Sequence, residues 1–278
     1  MTGLSPRAMK IANPPSPPFS KRGVACLPVG RGGFGNIFSE RFGIMDTEKT
    51  NTLTLFILEG ADAYHRWIFE KIRPYLGRDI LEVGCGIGNL TELLLSQGRV
   101  IAADVNGGYL QTVENKFRHH LNLKGVLLWD IRQAPPKNLA TPIDTIVCSN
   151  VLEHIGEEDD VLKSLYHLLP AGGKLIILVP AIKALYNVFD KELGHLRRYS
   201  RSELTQKLTR NGFRICSLKY FNLFGILGWF VNGTLLRRRL LPERQIGIFN
   251  KMVPLFIWME RIIPTLVGQS LIVVGEKG

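Results

Sequence analysis

Gly84, Gly86 and Gly88 alternate with other residues in ILEVGCGIGNL, directly after a short apolar run that carries Glu82. Glycine at this spacing lets a turn adopt backbone angles that side chains disfavour, and lets the main chain approach a nucleotide-like ligand closely. A dinucleotide-binding turn has the spacing G-x-G-x-x-G. Here its last position is Asn89, and the third glycine falls one residue earlier, at Gly88. Asp104 ends a second apolar run 20 residues after Gly84, the place where a carboxylate accepts from two ribose hydroxyls. Asp130, with Ile131 behind it, ends a third run and offers an acceptor for an exocyclic amine. No Lys or Arg follows the glycines to meet a pyrophosphate. The expected ligand is a nucleoside with a zwitterionic tail.

Two histidines stand where they can work on a second ligand. His154 closes SNVLEH after the fourth apolar run, and His195 lies in DKELGHLRRY after the fifth. His195 is read as a base or substrate ligand, with Asp190 or Glu192 orienting it. Arg197, Arg198 and Tyr199 follow as candidates for an anionic group. For His154 a helix-start or loop hydrogen-bonding role is an equal alternative. His119 and His120 are adjacent and read as solvated, and no spacing suggests metal ligands, so no metal is expected. Tyr64 and Trp67 suit a lid over the ligand, but their helical spacing fits core packing better.

These residues need a frame. Short apolar runs at Ile80–Val83, Val100–Asp104, Val126–Asp130, Ile143–Cys148 and Lys174–Val179 alternate with helical stretches near Asn89–Ser96, Gly108–Phe117 and Asp159–Leu169. That alternation predicts a parallel sheet covered on both faces, with ligands at the carboxyl ends of its strands. ADAYHRWIFEKIRPYLG reads as an amphipathic helix stopped by Pro74 and Gly77. Ser200 and Glu203 predict a capping box opening a helix to Arg210, closed by Asn211-Gly212. Phe213–Phe221 and Leu271–Gly275 read as two further strands. The stretch between them is too long for a hairpin loop and predicts a helical cap insertion over 222–268.

Residues 1–44 are rich in Pro, Gly, Ser and basic residues without periodicity and predict a disordered tail, with no apolar segment of a signal peptide. The tail resembles translated intergenic repeat DNA. Met45 is the expected natural start, and residues 45–278 the expected domain. The net charge of +11 is uneven: residues 183–244 hold 13 Lys/Arg against 4 Asp/Glu. Such a field attracts anionic substrates, lipid headgroups or nucleic acid. FNLFGILGWFVNGTLL is shorter than the ~20 apolar residues of a membrane span. It suits either a cap over the site, the favoured reading, or peripheral membrane contact through 221–241 with Arg237, Arg238 and Arg239 at its edge. Four scattered cysteines suit a reducing cytoplasm rather than a disulfide scaffold.

The motifs resemble those of the class I S-adenosylmethionine-dependent methyltransferases. LEVGCGIGN is similar to the family's first motif, AADV to its ribose acid, WDI to its adenine site, SNVLEHI to its fourth motif and GGKLIILVPA to its fifth strand. LGHLRRYSRSEL and FNLFGILGWFVNG resemble a bacterial subgroup often found beside cell-envelope glycan functions. The resemblance implies an α/β, Rossmann-like, doubly wound seven-stranded sheet with its last strand antiparallel. It implies S-adenosyl-L-methionine as cofactor, contacted by Glu82, Gly84, Cys85, Gly86, Gly88, Asp104, Val105, Asp130, Ile131, Asn150 and Val151, and it sets His154 beside the bound methyl group. Ser149-Asn150-Val151 is not the Pro-Pro-aromatic pattern that clamps a flipped base, and no aromatic-basic alternation suggests RNA. The expected acceptor is a small molecule, a glycan or a lipid-linked compound, methylated at oxygen. The alternatives are a non-catalytic binding protein on the same fold and an NAD-dependent oxidoreductase, the latter disfavoured by Asn89 and by the acid in the first strand.

Overall fold

A computed structural model describes residues 47–136, 139, 142–262 and 266–278. The tail over 1–44 and the expected start at Met45 lie outside the described residues.

Seven strands form one sheet: β1 Asp79–Val83, β2 Arg99–Asp104, β3 Leu123–Leu128, β4 Thr145–Ser149, β5 Lys174–Pro180, β6 Phe213–Phe221 and β7 Ser270–Lys277. Their order is β3-β2-β1-β4-β5-β7-β6. The first five run parallel, and β7 lies antiparallel between β5 and β6. Ile80, Leu81, Ile146, Val147, Leu175, Ile176 and Ile177 are buried, because helices cover both faces; this is why these strands read as continuous apolar runs. The order reverses between β1 and β4, which opens a crevice beyond the carboxyl ends of the strands.

Nine helices are described: α1 Thr47–Glu59, α2 Asp62–Ile72, α3 Thr91–Leu95, α4 Gly107–Phe117, α5 Glu158–Leu168, α6 Val188–Glu192, α7 Arg201–Arg210, α8 Gly225–Trp229 and α9 Glu243–Ile262. Leu162 and Leu165 of α5 and Leu204 and Leu208 of α7 pack one face of the sheet. Trp67 and Ile72 of α2, Leu94 and Leu95 of α3, and Val253 and Phe256 of α9 pack the other. Trp67 is therefore core, with Phe221 4.5 Å away ring to ring. Tyr64, one turn earlier, lines a cavity. Ser200 caps α7 by accepting from the Glu203 amide at 3.3 Å. Glu203 turns its carboxylate to Lys183 at 2.8 Å instead of back to the cap.

Two elements differ from expectation. β3 begins at Leu123 and stops at Leu128, so Trp129 and Asp130 have left the sheet. It is an edge strand of mixed exposure with an irregular register at Val100/Ile101, and its apolar signal is diluted accordingly. Helix α1 was not expected. Its buried positions are Thr50 and Thr54, so it carries no apolar stripe for a 3.6-residue pattern to reveal. The insertion is helical as expected: α8 runs into a six-residue π-helix at Phe230–Leu235, and α9 follows. No helix among the described residues is long and apolar enough to cross a membrane.

Candidate active site

A cavity of about 980 Å³ opens at the crevice, near the upper end of the range for small-molecule sites. Its floor is the glycine turn. Gly84 and Gly86 have φ of +75° and +53°; a Cβ on Gly84 would run into Val151 and one on Gly86 into Leu55. Gly88 is absent from the lining. A Cβ there would meet Phe117 and Val113 of α4, so this third glycine packs the turn against a helix rather than facing a ligand.

Asp104 organises the turn. Its Oδ2 accepts from the Gly86 amide and its Oδ1 from the Asn106 amide, both at 2.9 Å. Each oxygen retains a lone pair for a ligand. Burial pushes its pKa up, against the pull of the Asn106 and Gly86 amides. Glu82 is fully buried in β1, and its Oε2 accepts from Thr91 at 2.5 Å. Burial pushes Glu82 up to about 8, although the Thr91 bond pulls it down. Neither carboxyl has a Lys or Arg partner among the described residues. Two buried acids without a cation make this end of the cavity suited to a ligand that brings positive charge.

The raised pKa of Glu82 has a measurable consequence. The folded state holds this proton up to about pH 8, while the unfolded chain releases it near 4.5. Glu82 therefore weakens stability as pH rises between those values, by up to about 1.4 kcal/mol per pH unit for one proton, and has no further effect above pH 8. Denaturation midpoints from pH 5 to 9 should show this loss in the wild type and a flatter profile in Glu82→Gln.

Cys85, Val105, Asp130, Ile131, Asn150 and Val151 line the same cavity. Asp130 is held by Arg132 through bonds of 2.7 to 3.1 Å, which the sequence reading did not include. Asn150 takes a positive φ of 53° where the chain leaves β4. Helix α1 adds Glu48, Asn51, Thr54 and Leu55 as a wall.

His154 and His195 line the same cavity. His195 is buried, and its Nδ1 lies 2.9 Å from Asp190 Oδ1. Asp190, not Glu192, orients it; Glu192 faces Arg239 at 3.5 Å. Asp190 also accepts from Arg198 Nε at 2.9 Å, the Asn187 amide at 3.0 Å and Trp229 Nε1 at 3.3 Å. With Nδ1–H given to Asp190, the Nε2 of His195 points toward Glu153 Oε1, 3.8 Å away. Glu153 is fully buried and neither of its oxygens has a hydrogen-bond partner. Burial pushes it up to about 7, against the pull of His195 and Arg198. His154 packs edge-on to His195 at 4.9 Å between ring centres; burial and the neighbouring His195 lower its pKa to about 4.

Arg198 lines the cavity, and its Nη2 has no partner. Arg197 and Tyr199 do not join it: both bond Glu158, away from the cavity. The physical reason is the extended backbone here, which sends alternate side chains to opposite sides. His119 and His120 are exposed, as expected. Glu153, His154 and His195 each present a donor atom within 4.8 Å of the others, a grouping that their spacing in sequence conceals.

Residues 81–175 match the family model described as a methyltransferase domain. The match assigns a methyltransferase domain to these residues, and the strand order is that of the α/β methyltransferase fold. The chain is similar to the ubiquinone/menaquinone biosynthesis C-methyltransferase UbiE of Vibrio parahaemolyticus, with 31% identity over 43% of this chain and 49% of that protein. It is also similar to a ubiquinone biosynthesis O-methyltransferase of Bordetella avium, with 32% identity over 38% and 44%. The chain thus spans about half the length of the curated relatives it matches. A solved S-adenosylmethionine-dependent methyltransferase from Archaeoglobus fulgidus shares the fold, with a TM-score of 0.54, 20% identity, and coverage of 80% of this chain and 98% of that one.

Proposed function

We propose that this protein transfers a methyl group from S-adenosyl-L-methionine to a lipid-linked or quinone-like acceptor with an apolar body, with an oxygen as the receiving atom. The cofactor half rests on one observation: two buried carboxyls, Glu82 and Asp104, face the cavity without a Lys or Arg partner among the described residues, and the cofactor carries an ammonium and a sulfonium. When bound, it supplies an electrophilic methyl group. Gly84 and Gly86 would hold its amino-acid end, Asp104 its ribose, and Asp130 with Ile131 its adenine.

The chain's own work is placement. Holding two reactants in line and excluding water supplies about 7–11 kcal/mol without further chemistry. The acceptor half of the cavity is walled by Ile246, Phe249, Met252 and Phe256 of α9, which favours an apolar acceptor body. His195 Nε2, fixed by Asp190, is placed to hold or take the proton of an acceptor hydroxyl. Arg198 Nη2 stands beside it for an anionic group. The C- and O-methyltransferase relatives leave the receiving atom to experiment. Calorimetric titration with S-adenosylmethionine, with NAD as control, tests the reading. Micromolar binding of the first alone supports it, and binding of NAD alone overturns it.

An apolar acceptor needs an apolar place from which to be drawn. Ile248, Met252, Leu255, Trp258 and Ile262 of α9 are exposed at spacings of three and four residues, so they share one face. Basic Lys251 and Arg261 lie on the same helix. This face would rest on an anionic bilayer. The protein is expected to co-sediment with phosphatidylglycerol vesicles, and Leu255→Asp/Trp258→Asp to lower the bound fraction at least about fivefold; equal sedimentation of the two proteins sinks this part.

A further inference from the structure

We infer that Glu153, His154 and His195 form a binding site for one first-row divalent cation, of the Zn²⁺, Co²⁺ or Mn²⁺ type. A carboxylate oxygen of Glu153 and one ring nitrogen of each histidine lie within 4.8 Å of one another. Bonds of about 2.1 Å at tetrahedral angles place neighbouring donors roughly 3.4 Å apart. The pair His195 Nε2 and Glu153 Oε1, at 3.8 Å, is already close to that spacing. His154 packs edge-on to His195, with 4.9 Å between the ring centres.

Three features of the surroundings point the same way. Both oxygens of Glu153 are buried and unpartnered, a costly state for a carboxyl unless a partner arrives. His195 gives its Nδ1–H to Asp190, so its Nε2 lone pair faces the Glu153 oxygen. Two acceptors that face one another repel unless a proton or a cation lies between them. A carboxylate behind a histidine is also the usual outer support of a metal-ligating imidazole, fixing its tautomer and raising its basicity. Asp190 is itself immobilised by Arg198, Asn187 and Trp229, so the support is rigid.

Asp190 is balanced by Arg198, which leaves Glu153 as the anionic donor that this cluster offers to a cation, beside the cavity that His154 and His195 line. Two nitrogens and one oxygen suit first-row transition ions and zinc better than Mg²⁺ or Ca²⁺, which prefer oxygen alone. Three protein ligands leave further coordination positions open. Resting on the proposed transferase reading, those positions are suited to an acceptor oxygen that is already anionic, since with the ion bound His195 Nε2 is a ligand and takes no proton.

The test uses the full chain, stripped with chelator and then titrated with Co²⁺ by visible absorption and with Zn²⁺ by calorimetry, with Mg²⁺ as comparison. The expected result is one equivalent of Co²⁺ or Zn²⁺ and much weaker Mg²⁺. Glu153→Gln and His154→Ala should each weaken Co²⁺ binding at least about tenfold, and His119→Ala/His120→Ala should leave it unchanged. His154→Ala decides the matter should Glu153→Gln fail to fold, because His154 is exposed. Absence of binding in the wild type, or binding that survives substitution of these ligands, overturns the inference. S-adenosylmethionine titrated into the same samples keeps the two claims apart. A protein that takes the cofactor but no metal defeats only this site; one that takes metal but no cofactor defeats only the transferase reading.

Discussion

The Asp104→Asn protein will bind S-adenosylmethionine at least about a hundredfold more weakly than the wild type, measured by calorimetry at pH 7.5. Asparagine keeps the size of the side chain but has one acceptor oxygen where the carboxylate has two. In the wild type both oxygens are engaged by amides, Gly86 on one side and Asn106 on the other. One of those amides will face an NH₂ group, and the turn it holds will loosen. The ligand then loses one charge-assisted acceptor outright, worth about 1.5–3 kcal/mol, and the charge on the other, worth about 1 kcal/mol more, and the sum corresponds to a factor of about 100. Asp130→Asn will cost less, because Arg132 already occupies that carboxylate. Affinity within tenfold of the wild type in Asp104→Asn would remove Asp104 from the ribose role.

Asp190→Ala will destabilise the fold by about 3–5 kcal/mol, read from the urea midpoint. Asp190 is fully buried and takes four donors: His195, Arg198, Asn187 and Trp229. Without it the Arg198 guanidinium, whose side chain is wholly buried, keeps its charge with no counter-ion at bonding distance, and stranding one partner of a buried pair costs this much. The capping box at the start of α6, in which the Asp190 side chain accepts from the Asn187 amide, is lost as well. Replacing both charges, as Asp190→Leu/Arg198→Met, should recover part of the loss. A single variant within 1 kcal/mol of the wild type would show that water replaces the carboxylate with ease.

The sequence was informative where each residue acts through its own element. The parallel strands read as apolar runs because both faces are covered, and the acids at their ends fall in one crevice because parallel strands share a direction. Most of the residues expected at the cofactor line one cavity on that ground. The exceptions have physical causes. Gly88 is required by Phe117, which packs from a helix that the glycine spacing does not mention. The Arg197-Arg198-Tyr199 stretch was read as one unit, but an extended chain divides it: Arg198 goes to Asp190, and its two neighbours go to Glu158. Glu153 and His195 meet only because β5 and the loop after it return the chain to the end of β4. No short motif records a pairing of that kind. Helix α1 escaped because threonines, not leucines, face the interior.

The insertion that walls the acceptor half leaves the sheet after Phe221 and re-enters at Ser270, and these two residues are register partners on adjacent antiparallel strands. The Gln269 amide bonds the Asn222 carbonyl at 3.0 Å across the same gap. The whole segment therefore hangs from a doorway one strand spacing wide, which a tight turn of a few residues would close. The segment is nonetheless no appendage: α9 gives Val253 and Phe256 to the core and Asn250 accepts from the Tyr64 amide, so a change of length at this doorway would reach the layer that covers the sheet.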